Sequence, residues 1–216
     1  MNRAEQMTEV NFLALFTQVG ADLRGHFVLA SRQHSDRYFN KKVVFEHAEA
    51  FRLVSEALAH RVMLDRPNVL VAPQSSGVKL AQAVQWALSE NYGYSIPLIP
   101  AEKGPEETFY VSTLNQPLLR GKRVTLIEDV LTTGGSIKKV IELSRELGAE
   151  PISLHAFVNR GGITAEMLGV PKMTELARVN ANSWGEADCP AWLMAVPVNE
   201  TIGRGREYMR KKRSQA

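Results

Sequence analysis

The sequence predicts an α/β fold with a mainly parallel central sheet flanked by helices, and three observations predict it. Short apolar runs at 68–72, 124–127 and 151–158 have the length of buried strands. Small polar or glycine-bearing turns follow them, and the first two of those turns open stretches with the apolar period of a helix. Strands and helices in that alternation build a parallel sheet whose turns gather at one edge. A chain of 216 residues, 44% apolar and 23% charged, fits one such domain with a full core, or one domain plus a small appendage.

The elements follow in order. Residues 8–19 place Val10, Leu13, Leu15 and Phe16 in a helical pattern, and Gly20 is a natural stop. Phe27 to Ala30 and Tyr38 to Asn40 flank a polar turn, which suggests a hairpin or two short strands. Residues 46–62 put Phe51, Val54, Leu58 and Val62 on one helix face. The strand at 68–72 ends at Pro73, and Gln74-Ser75-Ser76-Gly77 leads into a helix bearing Leu80, Val84, Ala87 and Leu88. Ile96 to Pro100 is a short strand, and Ala101 to Thr108 a charged loop. After the 124–127 strand and its turn, Ile137, Val140, Ile141 and Leu147 line a helix that Gly148 closes. Beyond Pro171, Leu176 to Val179 and Trp192 to Val196 are expected as short strands packed around Trp184, Cys189 and Trp192.

Composition narrows the function. No apolar run reaches membrane-spanning length, and the opening residues lack a signal-peptide core, so a cytoplasmic protein is expected. Cys189 is the single cysteine, which excludes an internal disulfide. With no histidine near it in sequence it lacks zinc-ligand spacing, so no direct metal site is expected. The net charge of +3 comes from the end of the chain, where Arg204, Arg206, Arg210, Lys211, Lys212 and Arg213 face Glu207 alone. Residues 204–216 are expected as a flexible, solvated tail rather than a nucleic-acid surface. His26, His34, His47, His60 and His155 are scattered, a pattern more typical of packed or surface histidines than of a catalyst.

The stretch with most chemistry is Glu128-Asp129-Val130-Leu131-Thr132-Thr133-Gly134-Gly135-Ser136. Its glycines let backbone N–H groups turn inward, its hydroxyls add donors, and a helix opening near Ser136 contributes its positive end: together, a place for a phosphate. An acidic pair would repel that phosphate, so it suits neutral hydroxyls, a metal ion or developing positive charge. A sugar phosphate offers both halves.

This stretch resembles the signature of type I phosphoribosyltransferases, which bind 5-phosphoribosyl-1-pyrophosphate (PRPP). The resemblance implies that Glu128 and Asp129 face the ribose hydroxyls, that residues 130–136 wrap the 5-phosphate, and that Gln74, Ser75, Ser76 and Gly77 hold the pyrophosphate. Phe27, Leu29, Ser31, Ser35 and Tyr38 are similar to the N-terminal pattern of the orotate branch, which implies that Phe39 and Asn40 lie beside the base. Val158-Asn159-Arg160-Gly161-Gly162 is similar to the setting of an arginine that grips the orotate carboxylate, with Thr132 nearby, and Lys103 matches a lysine that closes over the pyrophosphate. The resemblance further implies Mg²⁺ carried by PRPP, a homodimer, and transfer to orotate in pyrimidine biosynthesis. By the same resemblance residues 1–45 form an N-terminal helix and base-binding hood, 46–170 the core and 171–203 further hood elements. A different nucleobase, or a PRPP-binding regulator without catalysis, stays open at this point.

Overall fold

The computed structural model describes residues 11–29, 31–179 and 181–215. In chain order its regular elements are α1 (Phe12–Gln18), β1 (Asp22–Val28), β2 (His34–Phe39), α2 (Lys41–Glu46), α3 (Ala48–Asp65), β3 (Val69–Pro73), α4 (Ser76–Tyr92), β4 (Leu98–Lys103) and β5 (Phe109–Tyr110). Then follow β6 (Arg123–Leu131), α5 (Gly135–Glu146), β7 (Glu150–Asn159), α6 (Ala165–Leu168), β8 (Met173–Arg178), β9 (Ser183–Trp184), α7 (Ala191–Met194) and α8 (Gly205–Arg213). The part of the expected leading helix at Val10 and the end of the expected strand at Ala30 lie outside the described residues. The chain divides into two compact units, one dominated by residues 48–179, the other combining 13–47 with 181–215.

The larger unit is built on a six-stranded sheet in the order β5-β4-β3-β6-β7-β8, with β5 antiparallel to β4 and the other neighbours parallel. β3 is buried along its whole length and β6 and β7 nearly so, which explains their continuous apolar runs. Val69, Val71, Val124, Leu126, Leu154 and Ala156 pack with Ile137, Val140 and Ile141 of α5 on one face. The alternate residues of the same strands serve the other face, where α3 and α4 pack together and against β3, β6 and β7. From β3 the chain goes first to β4 on one side and then to β6 on the other. The sheet therefore has a topological switch point between β3 and β6, where such sheets open a crevice at the strand C-termini.

Three expectations are corrected in this unit. β6 runs on to Leu131, so Glu128 and Asp129 sit within the strand rather than where it ends. Pairing with the long β7, from Arg123↔Glu150 through Leu131↔Asn159, carries it past the apolar run. Ala101 to Lys103 extend β4, because Glu102 and Lys103 pair with Tyr110 and Phe109, and only residues 104–108 remain as a loop. Met173–Arg178 is the sixth strand of the central sheet rather than a hood element, paired with β7 from Leu154↔Met173 to Asn159↔Arg178.

The smaller unit carries the antiparallel sheet β1-β2-β9. Phe16 and Phe39 meet edge to face in its core, with ring centroids 5.0 Å apart. Two expectations change here. Trp192 to Val196 is not a strand: Pro190 starts the single turn α7, which buries Leu193. Residues 205–213 form helix α8 where a flexible tail was expected. Arg, Lys and Glu are good helix formers, and Glu207 in the first turn with four cations in the last suits the helix dipole. The helix is tied down by Tyr208 donating to Glu186 at 3.0 Å and by the ion pairs Lys212–Glu186 at 2.8 Å and Arg213–Glu200 at 2.6 Å.

Candidate active site

At the switch point, the turn after β6 encloses a cavity of about 110 Å³ lined by Glu128 and by residues 130–137. That is room for a phosphate-sized group, well below the roughly 300–1,000 Å³ of pockets that enclose whole small ligands. Gly134 caps α5 at φ 74°, a left-handed conformation open to glycine at little cost. A Cβ there would also come within 3.1 Å of Leu168 and 3.4 Å of Ile163, which would have to shift by a few tenths of an ångström. First-turn N–H groups of a helix have no partner within it. The Gly135 N–H is turned onto Thr133 Oγ1 at 3.3 Å, and Thr132, Thr133, Gly135 and Ser136 are all exposed at the rim. Val130 and Leu131, expected to bind through the same turn, belong to β6. The Val130 N–H donates to Asp129 Oδ1 at 2.6 Å, and the Leu131 side chain is core.

The two carboxylates are adjacent strand residues and so project to opposite sides of the sheet. Glu128 is the one that lines the cavity, and its Oε1 accepts the Asp129 N–H at 3.0 Å. The same oxygen lies 3.5 Å from where a Gly77 Cβ would sit, so Glu128 stands between the turn after β6 and the start of α4. Both acids are buried, at 7% and 4% exposure, and each accepts a backbone N–H. Buried carboxylates are costly unless hydrogen-bonded, and these bonds offset part of that cost.

The turn after β3 is the other wall of the crevice. Ser75 caps α4 with no side-chain bond to the helix, and its hydroxyl is exposed beside Ser76 at the helix start. Gly77 lets α4 approach Pro73, whose ring would meet a Cβ at 3.2 Å. Gln74, expected at the pyrophosphate, also joins this turn to its neighbour. Its N–H donates to Ala101 O at 2.8 Å and its Oε1 accepts the Lys103 N–H at 3.1 Å, which splices this turn to the end of β4 and sets Lys103 beside it. The Lys103 side chain is exposed, at the start of the 104–108 loop.

The turn after β7 is stitched to the turn after β6. Arg160 and Gly161 both donate their N–H to Leu131 O, at 2.7 and 3.1 Å. A Cβ on Gly161 would overlap the Thr132 carbonyl, so the two turns lie in backbone contact. Asn159, fully buried, braces this turn by donating to Ile163 O at 2.7 Å and accepting the Ile163 N–H at 3.1 Å. Arg160 is thereby held next to the phosphate-sized cavity. Phe39 and Asn40 belong to the smaller unit, where Phe39 is buried on Phe16 and the Asn40 N–H donates to Ala21 O at 2.7 Å.

Sequence reasoning missed three residues that build the site. Asn159 and Gly161 are visible only as neighbours of Arg160, and nothing local reveals that Asn159 braces Ile163 or that Gly161 bonds to Leu131, 30 positions away. Lys139 of α5 donates to Glu107 O at 2.9 Å and so holds the 104–108 loop from below. Its signal in sequence is that of any exposed helix lysine.

Residues 41–187 match the family described as the phosphoribosyl transferase domain. The chain belongs to that family. This family member is 32% identical over 194 residues to the orotate phosphoribosyltransferase of Pelotomaculum thermopropionicum, a match covering 89% of this chain and 96% of the relative. It is 30% identical over 194 residues to the orotate phosphoribosyltransferase of Thermotoga maritima, covering 88% and 97%. Among solved structures it is similar to orotate phosphoribosyltransferase from Aeropyrum pernix, with a TM-score of 0.61 at 26% identity over 77% of this chain and 92% of that one. The central sheet and the crevice at its switch point are thus those of a phosphoribosyltransferase.

Proposed function

We propose that this chain transfers the phosphoribosyl group of PRPP to orotate, yielding orotidine 5-monophosphate and pyrophosphate. The observation that carries this reading is the junction at the switch point. One phosphate-sized cavity, one buried carboxylate and a second hydroxyl-bearing turn meet there, and an arginine is stitched alongside. The turn 132–136 receives the 5-phosphate through N–H groups and hydroxyls. Ser75, Ser76 and Gly77 receive the pyrophosphate, and Lys103 approaches it from the end of β4. As the bond from C1 to pyrophosphate breaks and the bond to the base nitrogen forms, positive charge develops on the ribose. Glu128, desolvated beneath it, stabilises that charge, and Asp129 holds the backbone through its bond to the Val130 N–H. Arg160 takes the orotate carboxylate in a two-point contact.

The phosphoribosyltransferase family generally depends on Mg²⁺. The hard oxygen donors here, the Glu128 carboxylate and two serine hydroxyls, fit Mg²⁺ that would arrive on PRPP and keep much of its water. When bound, the ion neutralises charge on the leaving pyrophosphate. A cytoplasmic homodimer belongs to the same proposal and is supported by the orotate-branch resemblance; no helix of the described residues is long and apolar enough to cross a membrane.

The test is a substrate panel: PRPP and Mg²⁺ with orotate, uracil, adenine, hypoxanthine and xanthine, followed by pyrophosphate release. Turnover of orotate alone is expected, and Arg160→Ala should raise the KM for orotate while sparing that for PRPP. Turnover of another base with none of orotate would overturn the assignment, and PRPP binding without any turnover would favour a regulator.

A further inference from the structure

The smaller unit gathers three side chains that the transfer reaction does not use. A ring nitrogen of His26, one of His34 and the sulfur of Cys189 all lie within 4.8 Å of one another. Sequence spacing excluded a metal here because no histidine lies near Cys189 along the chain. The β1–β2 hairpin supplies two, Phe27↔Ser35 and Val28↔His34 pairing having brought their strands side by side.

The hydrogen bonding gives the cluster its chemistry. His26 Nδ1 lies 2.9 Å from the Val196 carbonyl, which only accepts, so Nδ1 carries the proton and Nε2 presents a lone pair. That lone pair is 2.6 Å from His34 Nδ1. His34 is wholly buried, and its Nε2 has no hydrogen-bond partner among the described residues. Within the protein that contact is a hydrogen bond from His34 Nδ1–H to His26 Nε2, and the buried His34 Nε2 is the ring atom that the described residues leave unsatisfied. A backbone carbonyl holding the far nitrogen of a histidine is also how metal-ligating imidazoles are oriented.

We propose that His26, His34 and Cys189 form a site for a thiophilic divalent cation of the Zn²⁺ class. Two imidazole nitrogens and a thiolate are the donors such ions prefer, while Mg²⁺ takes oxygen. Zinc bond lengths set tetrahedral donors roughly 3.3–3.6 Å apart, so the side chains reach the ion by small rotations. Cys189 is only partly buried, which leaves a path to solvent and a fourth position for water. The ion would pin the hairpin to the segment before α7.

The full chain, stripped with chelator and free of substrates, should be titrated with Zn²⁺ by calorimetry and with Co²⁺ by absorption. One ion per chain is expected, with the intense near-ultraviolet band of thiolate-to-cobalt charge transfer. Cys189→Ser should abolish that band. It should weaken Zn²⁺ binding by more than the roughly 10–100-fold that losing an outer hydrogen-bond partner costs. His34→Gln, if folded by circular dichroism, should weaken binding likewise. Absence of saturable one-to-one binding in the unaltered chain, or equal affinity in Cys189→Ser, would overturn the proposal.

Discussion

Replacing Gly161 by alanine tests the claim that the turn after β7 shapes the phosphate turn. The new methyl would overlap Thr132 O and stand 2.6 Å from the carbonyl carbon, where ordinary contact begins at 3.4 Å. The oxygen, 1.5 Å from the added methyl, sets the requirement: to reach 3.4 Å the two turns must part by about 1.9 Å. A parting of that size breaks the bonds from Arg160 and Gly161 to Leu131 O. Two such bonds are worth about 1–3 kcal/mol together. Displacement near 1 Å can cost on the order of 100-fold in rate. In steady-state kinetics we expect kcat/KM for PRPP to fall by on the order of 10–100-fold, with a lowered denaturation midpoint. Gly162→Ala is the control: its φ of 64° costs about 1 kcal/mol in a left-handed turn, yet nothing lies within 4 Å of the added methyl. If Gly161→Ala keeps the parent KM for PRPP and the parent stability, the contact between the turns does not organise the site.

Other perturbations reach different parts of the molecule. Asn159→Ala removes both bonds that hold Ile163 and leaves a buried N–H and carbonyl unpaired, so urea denaturation should show a loss of about 2–4 kcal/mol, and the PRPP KM should rise; unchanged stability would refute the bracing role. Glu128→Gln keeps the shape but not the charge, and kcat should fall on the order of 100-fold with little change in PRPP binding; an unaltered kcat would remove Glu128 from the chemistry. Stability should also fall in acid. Burial holds the His155 imidazole below its ordinary value, against the opposing pull of Asp65 2.9 Å away. Burial pushes Asp65 up, but hydrogen bonds from His155, Lys172 and Ser153 outweigh it and hold the carboxyl well below the usual carboxylate range. Both depressed groups bind more protons unfolded than folded, so stability is lost as pH falls below about 6.5 for the histidine and below about 4 for the aspartate. The slope contributed by His155 is up to about 1.4 kcal/mol per pH unit; His155→Gln should flatten it, and an unchanged slope would show the pair does not titrate with folding. Tyr208→Phe deletes the bond to Glu186 and should cost about 0.5–1.5 kcal/mol by thermal melting.

Much of the central sheet was legible because its signals are local. The runs at Val69 and Val124 are continuous apolar stretches, as doubly covered strands require, and the small residues after them announce turns. The Glu128 to Ser136 stretch was legible for the same reason: its glycines, hydroxyls and acids are consecutive. Other features were misread where a distant partner decides. Met173–Arg178 looks like any short strand, and only pairing with β7 makes it part of the core sheet. The cations of 205–213 suggest a solvated tail until Glu186 and Glu200 hold them as a helix.

The sequence by itself determined the chemistry available: a turn suited to phosphate, acids suited to neutral hydroxyls or developing positive charge, an arginine suited to a carboxylate, and a single thiol. Consecutive residues share one local geometry, so their joint role can be read without the fold. Tertiary structure decided which of them meet. It put the turns after β3 and β6 across a switch point, aimed Glu128 into the cavity and Asp129 away from it, and joined Gln74 to Lys103. It also brought His26 and His34 to Cys189 over more than 150 positions of chain. Spacing in sequence carries no record of such meetings, because strand order and register, not proximity along the chain, set which side chains become neighbours.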